Sequence, residues 1–427
     1  MRRIRWILLS TVMGLMLTAL VVGAAAAGDG PVHHPAGVTL PHQRPGTDDG
    51  AVTGPGSDCI DGEQESGAKY RICKPDTWIP GVGRLVVYAH GYVASDRPVE
   101  IPEDQMSLPG SDQTVDEIVT GLGFGFAASS YYTNGLAVMP AISDLLDVVD
   151  IFSDTYGAPD RVYLVGVSEG GLITALSVEQ YPDVYDGGLA MCGPYGDFQG
   201  QVNHFGDFRV VFDYFFPEVM PGEPLTIPAS LMSDWKTGFF TSTVVPTITH
   251  PSNITRVNQL LTVTNVSPWR YDPPTSTESI EQLLWYNVFA TNDGVAKLGG
   301  QPFDNQGRVY TGSDDDAALN AGVPEFSADP VARAEIKAHY QTSGVLRVPL
   351  VTLHTTGDAV VPYWHAPVYA DKIEAVGRGL YHHHIRVERH GHCAFTQADI
   401  LGAFGKLVEM VENPPALVFL PMVAKGP

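Results

Sequence analysis

The run "VYLVGVSEGGLITALS", residues 162–177, constrains this chain more than any other stretch. Strand-forming residues lead into Gly166-Val167-Ser168-Glu169-Gly170, and an apolar pattern at helical spacing resumes at once. A chain that passes from strand to helix within one residue brings the positions on either side of the turn into collision unless they are glycine. The serine is then left projecting at the edge of a sheet, with a helix N-terminus behind it that favours negative charge. G-x-S-x-G in that strand–turn–helix context is the pattern of a nucleophile elbow.

A serine hydroxyl is a poor nucleophile without a base, and the base needs a group to orient it. The sequence supplies both downstream. "VTLHTTGDAVVP" places Asp358 directly after an apolar strand, and "VERHGHCAF" places His392 after the next, leaving room for one helix and one strand between them. Asp197 is the alternative acid, although its glycine-rich surroundings read as the start of an insertion, and His390 is the alternative base. His354 lies within an apolar strand and reads as a core histidine. The amide of Glu169, next to the serine, is one expected oxyanion donor. The second is the amide of Tyr92, after the strand "LVVYA" and the pair His90-Gly91, with His90 bracing that loop.

Around these residues, apolar strands alternate with helices, which indicates a mostly parallel sheet covered by helices on both faces. The alternation lapses between about 194 and 340, where aromatics and prolines concentrate, and then resumes. The expected organisation is an export signal over 1–27 and a leader over 28–58. An α/β core spans 59–193 and 341–415, interrupted by a cap or lid at 194–340, and a tail covers 416–427. The signal rests on arginines ahead of an apolar run that ends in Ala25-Ala26-Ala27. Its length leaves an uncleaved anchor as the alternative to cleavage.

A formal charge of −23 argues against nucleic acid and anionic membrane surfaces as partners. Export to an oxidising compartment makes four cysteines an even set for bridging. Cys59 and Cys73, 14 apart in a Gly- and Asp-rich segment, read as the staple of a local loop. Cys192 and Cys393 read as a second bridge or as buried thiols. His382 and His384 fall on one face of a strand but lack acidic or cysteine partners at ligand spacing, so no metal is expected. Asp314-Asp315-Asp316 read as a helix cap.

Ser168, Asp358 and His392, in that order, together with His90-Gly91, resemble the α/β-hydrolase superfamily. "GDAVVP" and "GHCAF" are also similar to its secreted-esterase and prolyl-oligopeptidase-like branches. Tannase and feruloyl-esterase relatives bridge a cysteine beside the serine to one beside the histidine. Here Cys393 follows the histidine but Val167 precedes the serine, so the pairing suggested by the resemblance is Cys393 with Cys192. The resemblance implies acyl transfer to water without a cofactor. The expected substrate is a small-molecule or polymeric ester, held in a pocket that includes His90, Phe212, Phe215, Trp235 and Trp285. The alternative is a serine peptidase that anchors an amino terminus on cap acids such as Asp207, Asp213, Glu218 and Asp234, and a non-catalytic binding protein is a third reading.

Overall fold

The computed structural model describes residues 57–414. The expectations for 1–27, for most of the leader and for the tail lie outside the described residues. Eight strands form one sheet in the order β1-β2-β4-β3-β5-β6-β7-β8. They are β1 (Ser57–Glu63), β2 (Lys69–Pro75), β3 (Arg84–Ala89), β4 (Gly125–Ser129), β5 (Arg161–Val167), β6 (Gly187–Met191), β7 (Leu350–Gly357) and β8 (His382–His390). β2 runs antiparallel to both of its neighbours, β1 and β4, and the strands from β4 to β8 in that order are parallel, as the apolar runs of β3 to β7 predict.

The segment around Cys59 is a strand and not a loop. Cys59 sits directly opposite Cys73 in the β1–β2 ladder, and the two form a disulfide. Glycine and aspartate concealed it, because β1 is an edge strand whose side chains are mostly exposed or half-buried.

The chain leaves β3 toward β4 on one side and later enters β5 on the other, so the strand order reverses between β3 and β5. A crevice at the carboxyl ends of the strands is expected at such a switch point. Two helices follow β3 and β4 in turn, α1 (Val115–Gly121) and α2 (Val138–Tyr156), and α3 (Glu169–Gln180) follows β5. α2 and α3 bury their apolar faces against one side of the sheet through Val138, Leu145, Phe152, Leu172 and Leu176. The opposite side carries α1 and the last helix.

Between β6 and β7 the chain is entirely helical among the described elements: α4 (Phe198–Phe215), α5 (Ala229–Lys236), α6 (Ile254–Val263), α7 (Thr275–Lys297), α8 (Asp316–Gly322) and α9 (Pro330–His339), with short helical turns among them. Phe208, Phe212, Trp235, Leu260, Leu283 and Leu319 form a separate apolar cluster. α9 packs on α4, and its Ala332 and Ile336 belong to the apolar cluster that includes the sheet rather than to the one above. α10 (His365–Ala375) joins β7 to β8, and α11 (Gln397–Glu412) closes the described chain, opening on a capping box formed by Thr396 and Asp399. Among the described residues no helix is long and apolar enough to cross a membrane.

Candidate active site

Ser168 sits between β5 and α3 with φ 57° and ψ −120°. That left-handed turn is tolerated because its neighbours lack side chains: a Cβ on Gly166 would lie 2.0 Å from the Gly170 carbonyl oxygen, and one on Gly170 would lie 2.0 Å from the Ala89 carbonyl oxygen. The Ser168 hydroxyl lies 2.8 Å from His392 Nε2, and His392 Nδ1 lies 2.8 Å from Asp358 Oδ2. The other carboxylate oxygen of Asp358 accepts the amides of Val360 at 3.0 Å and Val361 at 2.9 Å. The Asp358 side chain is fully buried, so these bonds and the one to His392 fix its orientation.

The strand ends explain why residues so far apart in sequence meet. Asp358 follows β7 and His392 follows β8, its parallel neighbour, where Gly357 pairs with His390 across an irregular register. The histidine loop is held by the Gly391 amide bonded to the Gly357 carbonyl and by the Thr355 hydroxyl bonded to the Gly391 carbonyl. A disulfide joins Cys393, beside the histidine, to Cys192 at the end of β6. The alternative residues are occupied elsewhere. Asp197 accepts from the Gln341 side chain, and His390 contacts Ser267. His354 is buried, as read from its apolar strand; it bridges the Tyr195 hydroxyl and the Val361 carbonyl, and its Nε2 lies 3.7 Å from Asp358 Oδ2.

Gly91 and Tyr92 approach the serine from the β3 loop; a Cβ on Gly91 would lie 3.2 Å from Ser168 Cβ. The Gln105 side chain holds this loop from both sides, accepting from the Gly91 amide at 2.8 Å and donating to the Tyr92 carbonyl at 3.1 Å. The amides of Tyr92 and Glu169 donate to no protein acceptor among the described residues. His90 Nδ1 donates to the Gly91 carbonyl at 2.7 Å, and burial lowers the imidazole to about 4, so the ring is neutral. The Glu169 carboxyl is buried, accepts the Ala137 amide at 2.9 Å and is pushed up to about 8 by desolvation.

Two cavities meet at Ser168, and Tyr92 and Tyr286 stand in the walls of both. The larger, about 360 Å³, carries His392 and Cys393 in its wall and runs along the sheet. The smaller, about 140 Å³, lies between Glu169 and the helical insertion, against Phe205, Ala290 and Gly294. Neither lining contains a lysine or arginine.

The pocket residues expected from sequence are elsewhere. Phe212, Phe215 and Trp235 are buried in the insertion's own core, Trp285 packs against that core, and His90 stacks under the β3 loop on Tyr131. Helix faces account for the difference. On α7, Tyr286, Ala290 and Gly294 repeat every four residues along the cavity, while Trp285 and Phe289 pair on an adjoining face. Tyr286, which lines both cavities together with Ser168, and Gln105 were not assigned to the site from sequence. The four-residue spacing of a tyrosine and two small residues was the available signal for Tyr286. Gln105 lies in an irregular loop and offered none.

The cap acids named for an amino-terminal anchor line neither cavity. Asp207 pairs with Arg308 and Tyr310, and Asp213 with Arg209. His382 Nε2 and His384 Nδ1 both contact the Thr352 hydroxyl, and Asp315 accepts the Ala318 amide as a helix cap.

The sheet order, the antiparallel second strand and an elbow at the end of β5 define an α/β-hydrolase fold. No family model matches the chain. The o-phthalyl amidase of Xanthobacter agilis is 20% identical over 337 residues, which is 64% of this chain and 72% of that protein. Among solved structures, feruloyl esterase B from Aspergillus oryzae is similar over 84% of this chain and 82% of its own, at 14% identity and a TM-score of 0.46. An acylaminoacyl peptidase from Pyrococcus horikoshii is similar over 84% of this chain, at 10% identity and a TM-score of 0.42; the chain spans only 41% of that protein.

Proposed function

We propose that the protein is an exported serine hydrolase that cleaves carboxylic esters through an acyl-enzyme. The unbroken hydrogen-bond chain from the Ser168 hydroxyl through His392 to Asp358 carries this reading. Ser168 Oγ attacks the ester carbonyl carbon as His392 Nε2 takes its proton. The tetrahedral oxyanion is held by the amides of Tyr92 and Glu169. The proton then passes from His392 to the leaving alkoxy oxygen as its bond to the carbonyl carbon breaks. Water, activated by the same imidazole, releases the acid. Asp358 keeps the proton of the neutral imidazole on Nδ1 and stabilises the imidazolium. Apolar cavity walls without lysine or arginine favour neutral, apolar esters. Two disulfides suit an oxidising compartment and support export.

Amide hydrolysis is the second reading, favoured by the likeness to an amidase. A fluorophosphonate probe tests the class: it should label the wild type at Ser168 and leave Ser168→Ala unlabelled. A panel of neutral nitrophenyl esters and matched nitroanilides separates the two readings. Faster turnover of the anilides would overturn ester preference, and failure to label would overturn the nucleophile itself.

A further inference from the structure

The larger cavity owes its place to how the two helices on that side of the sheet are set. α1 packs on β2 and β4, and α11 packs on β6 and β7. The two middle strands, β3 and β5, are left between them. A groove therefore runs over Val86 and Val165, walled by Ile118 on α1 and by Leu401 and Phe404 on α11. Its wall residues Ile118, Leu401 and Phe404 are only partly buried, as expected where apolar side chains face an unfilled space. The floor strand β5 ends at Val167, next to Ser168, so the groove leads directly to the proposed nucleophile.

The two cavities are not equivalent with respect to the proton relay. A general acid must stand beside the oxygen it protonates, so the leaving group lies on the flank of His392. His392 and Cys393 are in the wall of the groove, whereas the cavity under the insertion has Glu169 in its wall and lacks His392. From this asymmetry we infer that the groove between α1 and α11 receives an extended apolar alcohol moiety, and that the acyl group enters the smaller cavity under α7. The inference rests on the ester reading above and assigns the two ends of that substrate. The groove, at about 360 Å³, is the roomier of the two spaces and suits the longer chain. The smaller, about 140 Å³, holds a short acyl group.

Octyl acetate and ethyl octanoate are isomers that differ only in which side of the ester carries the long chain. The wild-type enzyme should cleave octyl acetate with a kcat/KM at least about tenfold above that of ethyl octanoate. Ile118→Trp, which adds bulk at a half-buried groove wall, should lower kcat/KM for octyl acetate enough to remove most of that advantage. Equal rates, as expected if the groove is filled from within the chain, overturn the assignment, and so does preference for ethyl octanoate. The isomer ratio needs only the wild type, so it decides even if the variant fails to fold. Enzyme that labels at Ser168 yet cleaves neither isomer overturns the ester reading itself, an outcome distinct from an inverted ratio.

Discussion

At the scale of single residues, the site depends on groups placed by bonds rather than by their own chemistry. Both Asp358 oxygens are engaged, one by His392 and the other by two backbone amides. Asp358→Asn preserves the shape but presents an amide that can donate toward Nδ1, which favours the wrong imidazole tautomer. Its kcat should fall by about 10⁴ with the circular dichroism spectrum unchanged. A fall of less than tenfold would show that another group orients His392. Glu169 is held differently, buried as a neutral acid that accepts a backbone amide. Its carboxyl is raised from 4.5 to about 8, so across that window the folded chain holds a proton that the unfolded chain has released. Stability should therefore fall as pH rises through the window. Glu169→Gln keeps the acceptor oxygen and removes the titration. Melting temperatures from about pH 5 to about pH 9 should decline less for the variant than for the wild type. Identical pH dependence would mean the carboxylate is accommodated charged.

At the scale of elements, the elbow was legible because its requirement is steric and local. Glycines two positions before and after one serine, between a strand and a helix, suit hardly any turn but this one. Gly170→Ala would drive a Cβ into the Ala89 carbonyl oxygen on β3, a backbone atom that cannot turn aside. We expect a loss of at least about 1–3 kcal/mol by denaturant unfolding, together with lost labelling of Ser168. The tie between Cys192 and Cys393 acts on another element, the loop that carries His392. Replacing both cysteines by alanine should cost about 2–4 kcal/mol and lower kcat more than it raises KM, because in the proposed mechanism the loop positions the base rather than the substrate. Unchanged kcat would make the bridge purely a matter of stability. The cap contacts were not legible in the same way. Aromatic content shows that a helix has an apolar side but not which side faces a cavity, and the largest rings, Phe212 and Trp235, were drawn into the insertion's own core. The smaller residues Ala290 and Gly294 were left at the cavity wall.

At the scale of the whole molecule, the parallel sheet was readable from strands apolar on both faces, and the sequence order of serine, acid and histidine matched its topology. What could not be read was which strands the helices leave uncovered, since that depends on how α1 and α11 are spaced across the sheet. Electrostatics is the remaining property of the whole chain. A formal charge of −23 surrounds two cavities whose walls contain no lysine or arginine. An ester bearing a carboxylate is then repelled on approach and finds no counter-charge on arrival. Raising ionic strength from 0.01 to 0.15 M shortens the screening length from roughly 30 Å to 8 Å. Over that range kcat/KM for an anionic monoester should rise several-fold, while that of a neutral ester of equal size stays flat. The opposite trend, an anionic ester favoured at low salt, would require a local cationic patch strong enough to outweigh the net charge.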